Sequence, residues 1–185
     1  MTHFRPTRRT ALGLGLLSLA AFPGAASAQA FLVDLPAPGA HPHEGDVLET
    51  AAAAGQFSVF LRALRVAGYE ETLHGPGPFT VFAPTDTGFA HMDRAKFDRL
   101  MQPAGHEELL SLLSYHVVPG RLTTASVHGR AMRMHAANGY TINLDGNDGL
   151  RVNDQLVVMP DMNARNGVIQ GINSVLSPPV VMALN

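Results

Sequence analysis

The hydrophobic period of this chain changes once along its length, and that change constrains the fold more than any other feature. Phe57, Phe60, Leu61 and Leu64 recur at i, i+3, i+4 and i+7, the spacing of a helix with one buried stripe. Gly68 is placed to stop that helix in a left-handed turn, and Asp46 to cap an earlier one over Val47–Ala54. Gly75-Pro76-Gly77-Pro78 is a strong turn that opens onto a short buried strand, Phe79-Thr80-Val81-Phe82-Ala83, ended by Pro84. Thr85 or Asp86 then caps a helix carrying Phe89 and Met92, and another helix covers Arg94 to Met101. Glu107 to His116 is helical again, with Leu109, Leu112, Leu113 and His116 on one face. From Tyr140 the period is two. Tyr140, Ile142 and Leu144 alternate, Asn147-Asp148-Gly149 turns the chain, and Leu150 and Val152 resume the alternation. Asn153-Asp154 turns into Leu156–Met159, and Asn166-Gly167 into Val168-Ile169, with Ile172, Val175 and Leu176 leading to Pro178-Pro179. Helices first and meandering strands later predict an α+β domain, not a doubly wound parallel sheet.

The N-terminus obeys a different logic. Residues 1–28 contain no acid; Arg5, Arg8 and Arg9 precede an apolar run from Ala11 to Phe22, followed by Ala26-Ser27-Ala28. A basic region, an apolar region and a small-x-small site in that order predict an export signal cleaved between Ala28 and Gln29. Thr7-Arg8-Arg9-Thr10-Ala11-Leu12 is similar to a twin-arginine signal. The apolar run is too short for a permanent membrane anchor, so no stable membrane insertion is expected. Residues 29–45, rich in Pro, Gly and His, read as an extended arm; 46–180 read as the folded domain and 181–185 as a tail.

The formal charge of −2 therefore averages two unlike parts. Discarding three Arg leaves 10 basic against 15 acidic residues, a mature net charge of −5. Such a domain has no electrostatic reason to bind nucleic acid. At 46% hydrophobic and 15% charged it is too apolar for a disordered chain. The absence of Cys excludes disulfides, thiolate metal sites and cysteine nucleophiles, and fits a chain that folds before export.

Three blocks carry a resemblance. Phe79-Thr80-Val81-Phe82-Ala83-Pro84-Thr85-Asp86, with Phe89 following, is similar to the first signature block of fasciclin domains. Leu113-Ser114-Tyr115-His116-Val117-Val118-Pro119-Gly120 resembles that family's Tyr-His block, and Asn166-Gly167-Val168-Ile169 through Leu176 its closing block. The resemblance implies a wedge of two small β-sheets flanked by several short helices, used as an adhesion or interaction module. It implies structural roles for Thr80, Phe82, Pro84, Thr85, Asp86, Phe89, His116, Pro119, Gly120, Asn166, Gly167, Val168 and Ile169. In the closing block the chain has Gln170 where the family usually has His, Gly171 for an apolar residue and Asn173 for Asp.

His116, on an apolar face, is expected to be buried, with Asp86 as the partner of its ring. Tyr115 lies on another helical azimuth and is expected to be partly exposed. In animal relatives this Tyr-His region is linked to receptor binding, which makes Tyr115 and His116 the binding candidates by analogy. No catalytic residue and no metal site is assigned. His41-Pro42-His43-Glu44-Gly45-Asp46 has ligand-type groups, but Pro42 hinders local chelation. Asp145, Asn147, Asp148 and Asp154 resemble a calcium loop only at first glance, because Leu150 and Leu156 stand where Gly and Glu are required. His106-Glu107 lacks the second His of a zinc protease, and no nucleophile elbow, phosphate loop or dinucleotide fingerprint occurs.

The expected function is a non-enzymatic module, without cofactor, in the periplasm or outside the cell, binding a cell-surface or matrix protein or polysaccharide. The alternative is a carrier of an apolar, carotenoid-like small molecule in a groove between helices. For that reading Met132, Met134, Met159, Met162 and Met182 are the places to look, with ordinary core packing as the competing role.

Overall fold

The computed structural model describes residues 45–179. The expected export signal and its cleavage point at Ala28 and Gln29, the arm up to Glu44, and the tail with Met182 lie outside the described residues.

The helical half begins with a reciprocal cap. Asp46 accepts from the N–H groups of Leu48 and Glu49 (2.9 and 3.0 Å), while the Glu49 carboxylate accepts from the Asp46 N–H (2.9 Å). Helix α1 (Val47–Ala54) ends at Gly55, whose φ of +68° suits the left-handed close. Helix α2 (Ser58–Val66) buries Phe60, Ala63 and Leu64, and Phe57 just before it is buried too. Next come α3 (Glu70–Leu73), strand β1 (Phe79–Pro84), α4 (Asp86–Ala90), α5 (Arg94–Leu100), a 3-10 turn at Pro103–Gly105, and α6 (His106–Tyr115).

The strand half follows as β2 (Val117–Pro119), a short helix α7 (Thr124–Val127), β3 (Ala131–His135), β4 (Thr141–Asp145), β5 (Arg151–Val152), β6 (Gln155–Ala164) and β7 (Gly167–Ile172). The spatial order is β2-β1-β7-β6-β5-β4-β3. Strand β1 runs parallel to β7, from Phe79 opposite Gly167 to Pro84 opposite Ile172, and every other pair is antiparallel. A parallel pair needs a long crossover, and here it is the whole chain between β1 and β7.

Strand β6 is shared. Its first two residues, Gln155 and Leu156, pair with β5, whereas Val157 to Ala164 pair with β7 through two register shifts. The two small sheets expected are thus two halves joined through one long strand. Asn153 and Asp154 both take positive φ at the β5–β6 turn, as a tight hairpin of matching twist requires.

Two apolar cores result. The first lies among the helices and one face of β1 and β7, and includes Phe57, Phe60, Leu64, Val81, Leu113 and Ile169. The second lies under the strand-rich half and includes Phe82, Tyr115, Val118, Ile142, Leu144 and Ile172. Strand β1 separates them, sending Val81 and Ala83 into one and Phe82 into the other.

Candidate functional site

His116 caps the C-terminus of α6 and is fully buried. Its Nδ1 donates to the Leu112 carbonyl (2.7 Å), and its Nε2 accepts from the Leu176 N–H (2.9 Å). That pair of bonds selects the neutral Nδ1–H tautomer. Burial pushes its pKa down to about 4, against the opposing pull of the Leu112 carbonyl. The ring packs 6.1 Å from Phe60, and the His116 carbonyl accepts from the Phe82 N–H (2.8 Å). One residue thereby ties α6, β1 and the closing segment together.

Asp86 is not the partner of His116. Its carboxylate accepts from the Val59 N–H (2.8 Å), and its own N–H donates to the Gln56 carbonyl (2.9 Å). The reason is local: the residue capping α2 is Phe57, which has no side-chain acceptor for the free N–H groups of the first turn. Asp86 supplies the cap from another helix, and Thr85 caps α4 itself through Gly88 N–H (3.1 Å).

Tyr115 is buried, contrary to the expectation of partial exposure. Its hydroxyl donates to the Thr141 carbonyl (3.0 Å) and accepts from Asn153 Nδ2 (2.7 Å), and its ring meets Tyr140 edge-on at 6.3 Å. Helix α6 is covered on two azimuths, one per core, so a second direction on its surface is also interior.

The other signature residues form corners. The Thr80 hydroxyl donates to the Gly120 carbonyl (2.6 Å) and accepts from the Leu122 N–H (2.9 Å); Gly120, at φ +105°, donates to the Pro78 carbonyl (2.8 Å). Asn166 uses its whole amide: Oδ1 accepts from Val47 N–H (2.9 Å), and Nδ2 donates to the Leu73 and Gly75 carbonyls (2.7 and 2.8 Å). At Gly167 a Cβ would lie 2.2 Å from the Phe79 carbonyl oxygen, so only glycine lets β7 approach β1. Phe82, Phe89, Val168 and Ile169 fill the interior, Pro84 ends β1, and Pro119 is exposed at the end of β2.

A pocket of about 460 Å³ opens on the helical side, lined by Val59, Phe89, Met92 and Phe97 with Asp86 and Arg94. The periodicity expects Phe89 and Met92 on one helix, whereas α4 ends at Ala90 and Met92 follows it, and periodicity cannot place either across from Val59 and Phe97. Sequence reasoning therefore missed this site.

Residues 55–178 match the sequence profile of the fasciclin domain. The chain belongs to the fasciclin domain family. It is similar to Protein sll1483 of Synechocystis sp., 37% identical over 72% of this chain and 74% of that protein. It is also similar to the cell surface glycolipoprotein MPB83 of Mycobacterium bovis, 33% identical over 59% of this chain and 47% of that one. The fold matches a FAS1 domain pair of the insect cell adhesion molecule Fasciclin I, with a TM-score of 0.54 and 18% identity, covering 72% of this chain and 51% of that one.

The departures from the usual fasciclin closing block have physical partners here. Gln170 Nε2 donates to the Leu122 carbonyl (3.0 Å) and Asp161 Oδ1 (2.8 Å), while its Oε1 accepts from the Asp161 N–H (3.0 Å). Asp161 sits at φ +54° beside a bulge and also accepts from the N–H (2.9 Å) and the hydroxyl of Thr124. Burial pushes the Asp161 pKa up, but the Thr124 hydroxyl, the Gln170 amide and the Thr124 N–H together hold it below the ordinary value. A Cβ on Gly171 would fall 2.8 Å from Met159 Cβ and 3.1 Å from Phe57, so those side chains occupy the missing one's space. Asn173 accepts from the Leu156 N–H (3.1 Å) and holds the start of β6.

Among the described residues, the methionines singled out in the sequence do not converge on one groove. Met159 and Met162 pack against the first core, Met132 and Met134 against the second. Of the acidic groups singled out in the sequence, Asp145 accepts from the Asn147 N–H (3.0 Å) and shapes a turn. Asp46 pairs with His74 (2.6 Å) besides capping α1.

Proposed function

We propose that this fasciclin domain is an exported, non-enzymatic interaction module that binds a protein or polysaccharide of the cell envelope or matrix. The carrying observation is the consumption of the polar signature groups by the fold. Both nitrogens of His116, the Tyr115 hydroxyl and the Asn166 amide are hydrogen-bonded internally, which leaves them nothing to offer a substrate. Acid–base catalysis needs a group within reach of a reacting atom, and these are sealed. Relatives described as a cell adhesion molecule and a cell surface glycolipoprotein support the reading, as does the three-part export signal. Work then falls to the surface of a domain bounded near residues 46 and 180, with the preceding arm as a tether. The test is affinity capture from envelope extract with immobilised mature chain, residues 29–185. Retention of a defined envelope protein or polysaccharide above a control column is expected; retention of none overturns the proposal.

The pocket between α2, α4 and α5 favours a second reading, a carrier of an apolar small molecule. Its volume and its aromatic and Met lining suit a compact apolar group. Protein purified from its native host would then carry visible absorption or an organic mass in its extract, and a colourless, empty preparation removes this reading.

A further inference from the structure

We infer that the open edge of β3 is a docking site for an acidic, extended polypeptide segment that adds to the sheet as a further strand. The inference rests on the interaction-module reading and supplies its surface and partner chemistry. Strand β3 ends the sheet order, hydrogen-bonded to β4 on one side and approached on the other by β2 without pairing to it. The Gly146 N–H donates to the Arg130 carbonyl (3.0 Å) and the Ala136 N–H to the Tyr140 carbonyl (2.9 Å). Even-numbered positions therefore bond to β4, and Ala131, Arg133 and His135 direct their N–H and C=O groups to the open side. The side chains of those three are exposed, whereas Met132 and Met134 pack against the second core. Beyond His135 the edge closes, because the Ala137 N–H is taken by the Val117 carbonyl (2.7 Å).

Charge selects the occupant. No Asp or Glu occurs between Glu108 and Asp145, a stretch that carries Arg121, Arg130 and Arg133. Among the described residues, none of the ion pairs includes Arg130 or Arg133. On the exposed face of β3 to β5 the other charges are Asp145, opposite Ala131, and Arg151, opposite Asp145. A mature chain with a net charge of −5 thus keeps one strand edge basic. Arginines on an edge repel a second copy of the same edge. They attract an acidic strand, and the free N–H and C=O row supplies the main-chain bonds of strand addition.

The test uses 15N-labelled mature chain titrated with the peptide Ac-Val-Glu-Val-Glu-Val-NH2, its lysine counterpart and an alginate oligosaccharide. The glutamate peptide alone is expected to slow hydrogen exchange at Ala131, Arg133 and His135. Arg133→Glu should weaken it about tenfold or more. Ala131→Pro should remove the protection while keeping the thermal midpoint, because that N–H donates to nothing among the described residues. If Ala131→Pro fails to fold, Arg133→Glu decides. Equal binding of the lysine peptide, alginate binding without amide protection, protection elsewhere, or no binding of the glutamate peptide at millimolar concentration each overturns the proposal. Envelope capture separates the two readings. A partner retained undiminished by Arg133→Glu ends the edge proposal and leaves the module, whereas capture of nothing ends the module even if the peptide binds.

Discussion

Strands β1 and β3 belong to one sheet and share little else. Strand β1 lies between β2 and β7 with Thr80 to Pro84 buried, and it divides the two cores. Strand β3 closes the opposite side of the sheet order, with alternate residues exposed. A strand buried on both faces must be a continuous apolar run, whereas an edge strand needs only one apolar side. The central pair therefore carries stability and tolerates little, and the edge is free to vary and to bind.

The widest gap between the two should appear at His116, which holds β1 and the closing segment. His116→Ala removes a buried ring and orphans the Leu176 N–H, and should lower the unfolding free energy by about 4 kcal/mol in urea titrations. A loss below about 1 kcal/mol would break the comparison. The same residue sets a pH dependence. Its folded pKa lies at about 4, below the ordinary 6.5, so the unfolded chain binds the proton first. Its contribution is complete above 6.5 and is lost as the pH falls through that window, by about 3 kcal/mol at most.

Next in size is Gly171→Val on β7, which forces a side chain against Met159 and Phe57 and should cost about 2–3 kcal/mol by the same measurement. Tyr115→Phe cuts the hydroxyl link from α6 to Thr141 and Asn153 and should cost about 1 kcal/mol.

Smaller still is the effect of His74→Ala, measured as stability against pH. The Asp46 hydrogen bond, opposed by slight desolvation and aided by the charges of Asp46, Glu70 and Glu49, raises the His74 pKa above 6.5. That pair stabilises fully below 6.5 and is lost as the pH rises through the raised value. Burial pushes the Asp46 pKa up, but the Glu49 N–H, His74 and the Leu48 N–H hold it below 3.8, so its share is lost on acidification through the lowered value. Removing the imidazole should flatten the alkaline side, and an unchanged profile would show the pair to be without weight. The smallest change belongs to the edge. Arg133→Glu should alter stability by no more than about 0.5 kcal/mol, and a larger loss would mean that the fold depends on β3 as heavily as on β1.

The same contrast explains what could be read in advance. Strand β1 was legible because Phe79 to Ala83 is apolar, rich in strand formers and bracketed by Pro78 and Pro84. Strand β3 was not, because Ala131-Met132-Arg133-Met134-His135 alternates without strand-favouring residues, and β4 supplies the pairing that propensity does not. The burial of His116 was legible from its helical face, but its partners were not, since they are main-chain groups that carry no residue-specific signal.

The sequence by itself determined the main helices, strand β1, the later hairpin turns, the cap at Asp46, the Gly68 stop and the family, because each depends on residues a few positions apart. Only the tertiary structure decided that Asp86 caps α2 across 27 positions, that Tyr115 reaches Thr141 across 26, and that His116 holds Leu176 across 60. Those bonds join segments far apart in the chain that meet only in the folded domain. The same assembly chose which strand kept a free edge, since an edge is defined by the absence of a neighbour and no residue encodes that alone.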